Sequence, residues 1–166
     1  MNKKPIAITM GEPSGISSEI ILKTWLKREK ENLPCFFIID DFNKIKFVNQ
    51  LFKLNVKFKL ISKPEEAKKY FKSHLPIIDM KIKMNFNLGI PLKNNSKFVL
   101  RSINNALEFV MKKSASAMVT LPVCKKTINN EGFKFKGQTE YLSKRIFSKT
   151  KTKNNEIMIL TTRKPL

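Results

Sequence analysis

Histidine and cysteine are nearly missing from this chain: His74 is the only imidazole, and Cys35 and Cys124 are the only thiols. Two cysteines cannot build the paired framework of a small secreted scaffold, and their separation does not suit a zinc site. A lone imidazole makes no transition-metal centre, so His74 reads as a surface residue and no metal site is expected. Long apolar runs are absent as well. The longest, Cys35 to Ile39, falls far short of the roughly 20 residues a membrane helix needs. Lys3 and Lys4 precede an apolar segment that stops at Gly11-Glu12, too short for a signal-peptide core. A soluble, reduced, cytoplasmic protein without membrane contact is expected. Neither the GxGxxG dinucleotide fingerprint nor the GxxxxGK[ST] phosphate loop occurs.

Arginine is scarce too. Of 33 basic residues against 13 acidic ones, only Arg28, Arg101, Arg145 and Arg163 are arginine. Bidentate recognition of phosphates and base edges leans on arginine, and the lysines here are scattered along the whole chain. Specific nucleic-acid binding is therefore not expected, despite a formal charge of +20. The plentiful lysine, asparagine, isoleucine and phenylalanine point to a biased coding composition. A positive field would still attract a phosphorylated small molecule.

What is present is a core-forming chain of 166 residues, 42% apolar, with repeated strand–helix alternation. That pattern argues for one layered α/β domain over residues 1–166. Ile6–Thr9 should be a strand, followed by a helix to about Lys30 with Ile20, Ile21, Thr24 and Trp25 inward. Cys35–Ile39 reads as a central strand, apolar on both faces. A helix then buries Ile45, Val48, Leu51 and Phe52. Val56–Leu60 alternates with lysines and suits a sheet edge. Further strands are expected at Ile77–Lys83, Ala117–Thr120 (buried) and Ile157–Leu160. Helices are expected at Pro64–Ala67, Ser96–Lys113 and Gln138–Ser148, with Val99, Ile103, Ala106, Leu107 and Val110 inward in the second.

Two loops stand out. Met10-Gly-Glu-Pro-Ser-Gly15 links the first strand to its helix. Thr120-Leu-Pro-Val-Cys-Lys125 follows a later strand and leads to Gly132 and to Gly137-Gln-Thr-Glu140. Pro122 suits a helix first turn, Gly132 a helix C-terminus, and Gln138 or Thr139 the cap of the next helix. Two helix N-termini near Lys125 and Lys126 would favour a phosphate or carboxylate. On residues alone, Gly11–Gly15 suits a tight turn capped by Ser14 as well as a ligand loop. Lys125 suits a solvated lysine as well as an anion contact, and Cys124 a small buried thiol.

Together the segments Ile6-Ala-Ile-Thr-Met-Gly-Glu-Pro-Ser-Gly-Ile16 and Thr120-x-Pro-x-x-Lys125…Ile128-Asn…Gly132…Gly137-x-Thr-Glu140 resemble the 4-hydroxythreonine-4-phosphate dehydrogenase family of vitamin B6 biosynthesis. The resemblance covers the chain, but only roughly the N-terminal half of the family's usual protein. It implies an α/β/α lobe of the isocitrate dehydrogenase-like fold with the second lobe absent. It also implies oxidation of a phosphorylated hydroxy-amino acid with NAD or NADP and a divalent metal (Zn, Mg or Co), in a homodimer. The metal would polarise the alcohol.

Carried over residue by residue, Gln138, Thr139 and Lys125 become substrate contacts, and Gly11, Glu12, Ser14 and Gly15 loop contacts. Gln138 stands where the family more often has histidine, so it can donate a hydrogen bond but carry no proton at neutral pH. Leu121 replaces a customary glycine. The family's metal-binding histidines are expected beyond this chain, with Arg163 only superficially near the first of them. No catalytic residue is assigned, and the chain is expected to be incompetent alone. An acyl- or phosphate-handling protein of the same fold group, or a basic binding module without activity, are the alternatives.

Overall fold

The computed structural model describes residues 4–130 and 137–151, together with Ile157 and Ile159. Two compact units divide the chain, Met1–Gly132 and Phe133–Leu166. The first contains a five-stranded, wholly parallel sheet: β1 (Ile6–Thr9), β2 (Phe36–Asp40), β3 (Phe58–Leu60), β4 (Leu75–Asp79) and β5 (Ala117–Val119). The strand order is β3-β4-β2-β1-β5. Its helices are α1 (Ser17–Leu26), α2 (Phe42–Leu51), α3 (Ala67–Tyr70), α4 (Ser96–Met111) and α5 (Lys125–Asn130). The second unit contributes α6, Gln138–Thr150.

Side chains alternate across each strand, so one sheet carries two apolar faces. Ile8, Phe36, Ile38, Leu75 and Ile77 pack with Ile21, Leu22 and Trp25 of α1, with Ile45 and Val48 of α2, and with Phe71. On the other face α4 lies against β1, β2 and β5, burying Val99, Ile103, Ala106 and Leu107. Phe37 meets Phe109 of α4 edge-to-face at 5.8 Å. The expected α/β/α layering is present. β2 is central with all five residues buried, and β3 lies at an edge, both as the sequence indicates.

Several expectations fail locally. Ile20, Leu51 and Phe52 are exposed; Leu22 is buried in α1 instead, and Lys44 takes a buried place on α2. α1 ends at Leu26 and gives way to turns before Lys30. β4 begins two residues earlier than expected and stops at Asp79, because Asp79 turns its carboxylate to the N–H groups of Phe42 and Lys81. β5 is not buried: it has β1 on one side only, and Val119 is 45% exposed. A three-residue apolar run looks the same in an edge strand and a central one, so the sequence pattern does not reveal the exposure of β5. The expected terminal strand falls mostly outside the described residues; Ile157 and Ile159 are described, lie in no strand, and are 82% and 78% exposed. Gly132, the segment after it and Arg163 lie outside the described residues.

Candidate functional site

In a parallel sheet, ligands gather outside the carboxyl ends of strands where the winding order reverses. Here the chain winds from β1 outward through β2, then returns to the far side of β1 to lay down β5. The reversal therefore falls between β1 and β5. The loops leaving those two strands are the two that stand out in the sequence, and the fold brings them together.

The first loop crosses on Gly11, whose φ of +68° is costly for any residue with a Cβ. Space forbids a Cβ as well. It would stand 2.3 Å from Ser17 Oγ and 2.8 Å from Leu121 Cβ. Glu12 then donates its N–H to the Pro122 carbonyl at 2.8 Å, and Ser17 Oγ donates to the same carbonyl at 3.0 Å. Leu121 N–H donates to Thr9 Oγ1 at 3.3 Å, and Leu121 itself joins the core. The large side chain at 121 thus tightens the seam between the loops.

Glu12 is the side chain the two loops share. It is 6% exposed; its Oε1 accepts from Ser14 N–H at 3.2 Å and its Oε2 from Thr127 Oγ1 of α5 at 3.5 Å. Burial pushes its proton affinity up, while those hydrogen bonds and the field of Lys44 pull it partly back. Gly15 N–H closes the turn on Glu12 O at 3.1 Å, and Gly89 N–H reaches Ser14 O at 2.7 Å from the loop after β4. Ser14 Oγ is buried without a partner among the described residues, so it does not cap α1.

Lys125 opens α5 and is exposed. Pro122 precedes that helix instead of starting it, and α5 is anchored by buried Thr127 and Ile128. Cys124 is half-buried and serves through its carbonyl, which accepts from Thr127 Oγ1 at 3.0 Å. Burial raises the Cys35 thiol to about 11, which makes it inert at neutral pH. Gln138 and Thr139 are the first two residues of α6 in the second unit, after an extended Gly137 that occupies the cap position itself. The first unit thus brings together Gly11, Glu12, Ser14, Gly15 and the approach to Lys125. Gln138 and Thr139 adjoin each other on α6.

Sequence reasoning passed over a buried ionic group beside this loop. Lys44 Nζ has no exposure and donates to Asp40 Oδ2 at 2.9 Å and Ser18 Oγ at 2.8 Å. Asp40 is fully buried, and loss of hydration raises its carboxyl to about 6 despite the ammonium beside it. Burial also raises Asp41, whose Oδ1 caps α2 through Lys44 N–H at 2.7 Å. A signal existed: Asp40 and Lys44 are four residues apart, and Lys44 shares a helix face with Ile45 and Val48. A cavity of about 630 Å³ opens nearby between the start of α2 and residues 82–87, lined partly by Asn43, Phe47, Lys83 and Asn85.

The described residues do not fit a metal. They include no group of three His, Cys, Asp or Glu side chains able to hold one. His74 lies against Ser73 Oγ at 2.8 Å and precedes β4, at the sheet end opposite the loops. No described helix is long and apolar enough to cross a membrane.

Comparison with known proteins fits this geometry. Residues 33–165 match the family model described as pyridoxal phosphate biosynthetic protein PdxA. The 4-hydroxythreonine-4-phosphate dehydrogenase of Zymomonas mobilis is 34% identical over 142 residues, which cover 86% of this chain and 41% of the relative. The Caulobacter vibrioides protein of the same name is 29% identical, with the same coverage of both chains. The chain therefore spans about two-fifths of the length of these relatives. The fold matches the crystal structure of a 4-hydroxythreonine-4-phosphate dehydrogenase from Burkholderia phymatum with a TM-score of 0.77, at 23% identity, covering 87% of this chain and 44% of that one. The paired loops at the β1/β5 reversal and the match over residues 33–165 lead to one assignment: this chain belongs to the family of the pyridoxal phosphate biosynthetic protein PdxA.

Proposed function

We propose that this chain supplies part of the substrate site of an NAD(P)- and metal-dependent dehydrogenase acting on 4-hydroxythreonine 4-phosphate. The observation that carries the reading is the hydrogen-bonded seam of Glu12, Ser17, Pro122 and Thr127, which sets the Gly11–Gly15 loop beside the helix that begins with Lys125. Lys125, free of burial, offers an ammonium to a phosphate or carboxylate. Thr139 and Gln138, in the second unit, offer a hydroxyl and an amide that can donate to an anionic group of a substrate. Gly11, Glu12, Ser14 and Gly15 shape the wall of the site. When bound, NAD or NADP would supply a hydride acceptor and a divalent metal a Lewis acid that stabilises negative charge on the substrate oxygen. The described residues include no group of three His, Cys, Asp or Glu side chains able to hold that metal. On this reading the chain contributes substrate contacts and does not suffice for turnover. In the assembled enzyme two copies form a homodimer, and the lobe belongs to the isocitrate dehydrogenase-like fold.

Two measurements on the 166-residue chain test this. Titration with 4-hydroxythreonine 4-phosphate should give saturable binding that weakens in Lys125→Ala and Thr139→Ala. Unchanged binding in both variants would remove these residues from the site. Hydride transfer to NAD or NADP, with substrate and metal supplied, should be undetectable; clear turnover would overturn the claim that the chain is insufficient.

A further inference from the structure

We infer that Lys44, Asp40 and Ser18 act as a buried positioning assembly that holds the Gly11–Gly15 loop and the first turn of α1 in the conformation a ligand meets. The inference rests on the functional reading above for its consequence in binding, but its structural claim stands on geometry alone.

Each end of the loop needs an anchor, because glycine at 11 and 15 gives the backbone freedom it would otherwise use. One anchor is the seam to Pro122 already described. The other is the first turn of α1, where no side chain caps the helix. Ser18 in that turn is held by the Lys44 ammonium at 2.8 Å, and the same ammonium is held by Asp40 at 2.9 Å. Asp40 is itself fixed at the end of the central strand. Its Oδ1 accepts from Asp41 N–H at 2.7 Å, and its carbonyl accepts from Met80 N–H at 2.9 Å. Ser102 of α4 completes the bracing, accepting from Met10 N–H at 2.9 Å and donating to Ile39 O at 2.7 Å.

A chain of buried hydrogen bonds therefore runs from the middle of the sheet to the turn that ends the loop. Ser18 and Asp40 are each 1% exposed and Lys44 is not exposed at all, so water cannot replace a lost partner. The carboxylates that face the ammonium are Asp40 and Asp41 at the end of β2 and Glu12 in the loop; Asp79 at the end of β4 acts on Asp41. One buried cation thus serves the loop's own acid and the acids of the neighbouring strand. A lysine kept for this purpose cannot also reach a ligand, which leaves ligand contact to exposed lysines.

Amide hydrogen exchange on the full 166-residue chain tests the assignment in Ser18→Ala, with Ser18→Thr as the conservative variant that keeps the hydroxyl. The expected result is faster exchange at the Glu12, Gly15 and Ile20 amides by about tenfold, the loss of one hydrogen bond to a charged group. The Ile38 and Ile39 amides of the central strand should keep their protection, and Ser18→Thr should restore much of the loop's. Uniform acceleration across loop and strand, or none anywhere, would overturn the positioning role. Titration of the same variants with 4-hydroxythreonine 4-phosphate should show Ser18→Ala binding more weakly by a similar factor, and Ser18→Thr recovering. If the variants bind as tightly as the unsubstituted chain while the loop amides exchange faster, the assembly does not serve ligand binding and that part falls. If the unsubstituted chain binds no ligand, the functional reading fails, and the exchange pattern still decides the positioning claim.

Discussion

Lys44 and Lys125 each stand near the start of a helix that follows a parallel strand, and they have opposite surroundings. Lys44 is wholly buried, with a carboxylate and a hydroxyl within 2.9 Å. Lys125 is exposed at the head of a six-residue helix. The difference follows from where their strands lie. β2 is the middle strand, covered on both faces, so whatever follows it enters a packed environment. β5 has a neighbour on one side only, and beyond the buried Leu121 its loop leads to an exposed Lys125. The same residue type becomes an internal clamp in one place and a candidate ligand contact in the other. Strand position, not charge, decides which.

Breaking the clamp should have the largest effect. Lys44→Met leaves Asp40 buried and uncompensated, and should cost about 3–5 kcal/mol in denaturant unfolding. Adding Asp40→Asn should recover part of that loss, since a neutral pair leaves no stranded charge. The pH dependence carries the same information. Asp40 binds its proton at about 6 when folded, above its unfolded value of 3.8. A raised carboxyl favours the folded state fully below 3.8, and that contribution is lost as pH rises through about 6. Without Lys44 the carboxyl rises further, so the deficit of Lys44→Met should narrow as pH falls towards about 6 and level off below it. A deficit independent of pH would mean that Asp40 does not titrate as its burial demands.

Gly11→Ala should come next, at about 2–4 kcal/mol, combining the left-handed backbone with overpacking against Ser17 and Leu121. Loss of exchange protection at Glu12 N–H should accompany it, because the clash lies directly beneath the bond to Pro122. A fully stable Gly11→Ala would show that the seam between the loops can open freely.

Thr127→Val should be milder, about 1 kcal/mol, for a hydroxyl that bonds Cys124 O and touches Glu12. It should also raise the Glu12 carboxyl, since the Thr127 hydrogen bond lowers it. A ¹³C titration of that carboxyl would register the change. The smallest effect on stability belongs to Lys125→Ala, expected within about 0.5 kcal/mol of the unsubstituted chain because the site is solvated. Its effect should be on binding instead, weakening phosphate-bearing ligands by about tenfold through loss of one charge-assisted contact. A large stability loss with unchanged binding would reverse the contrast drawn between the two lysines.

Much of this is legible in the sequence. The runs Ile6–Thr9 and Cys35–Ile39 each read as a strand, and the second as the central one, because strands covered on both faces are apolar throughout. The periodic stripe of Val99, Ile103, Ala106 and Leu107 identified α4. Short elements failed. Ala117–Val119 is too short to show whether its other edge is paired, and Ile20, Leu51 and Phe52 sit at the margins of their helices, where apolar side chains commonly remain exposed.

The residues Gly11, Glu12, Pro122 and Lys125 and their spacing were set by the chain itself, as was the family to which they point. Sequence also determined the layering, since hydrophobic periodicity is a local property that survives without knowledge of neighbours. What only the tertiary structure decided is which strand each loop leaves, and therefore which polar groups meet. Glu12 reaches Thr127 across more than a hundred residues, and Ser18 reaches Lys44 and Asp40 from a different helix and strand. The energy of a buried charge depends on the partners that packing supplies. The local pattern puts Lys44 on the apolar face of its helix, but only packing decides that it is enclosed and paired while Lys125 is left to the solvent.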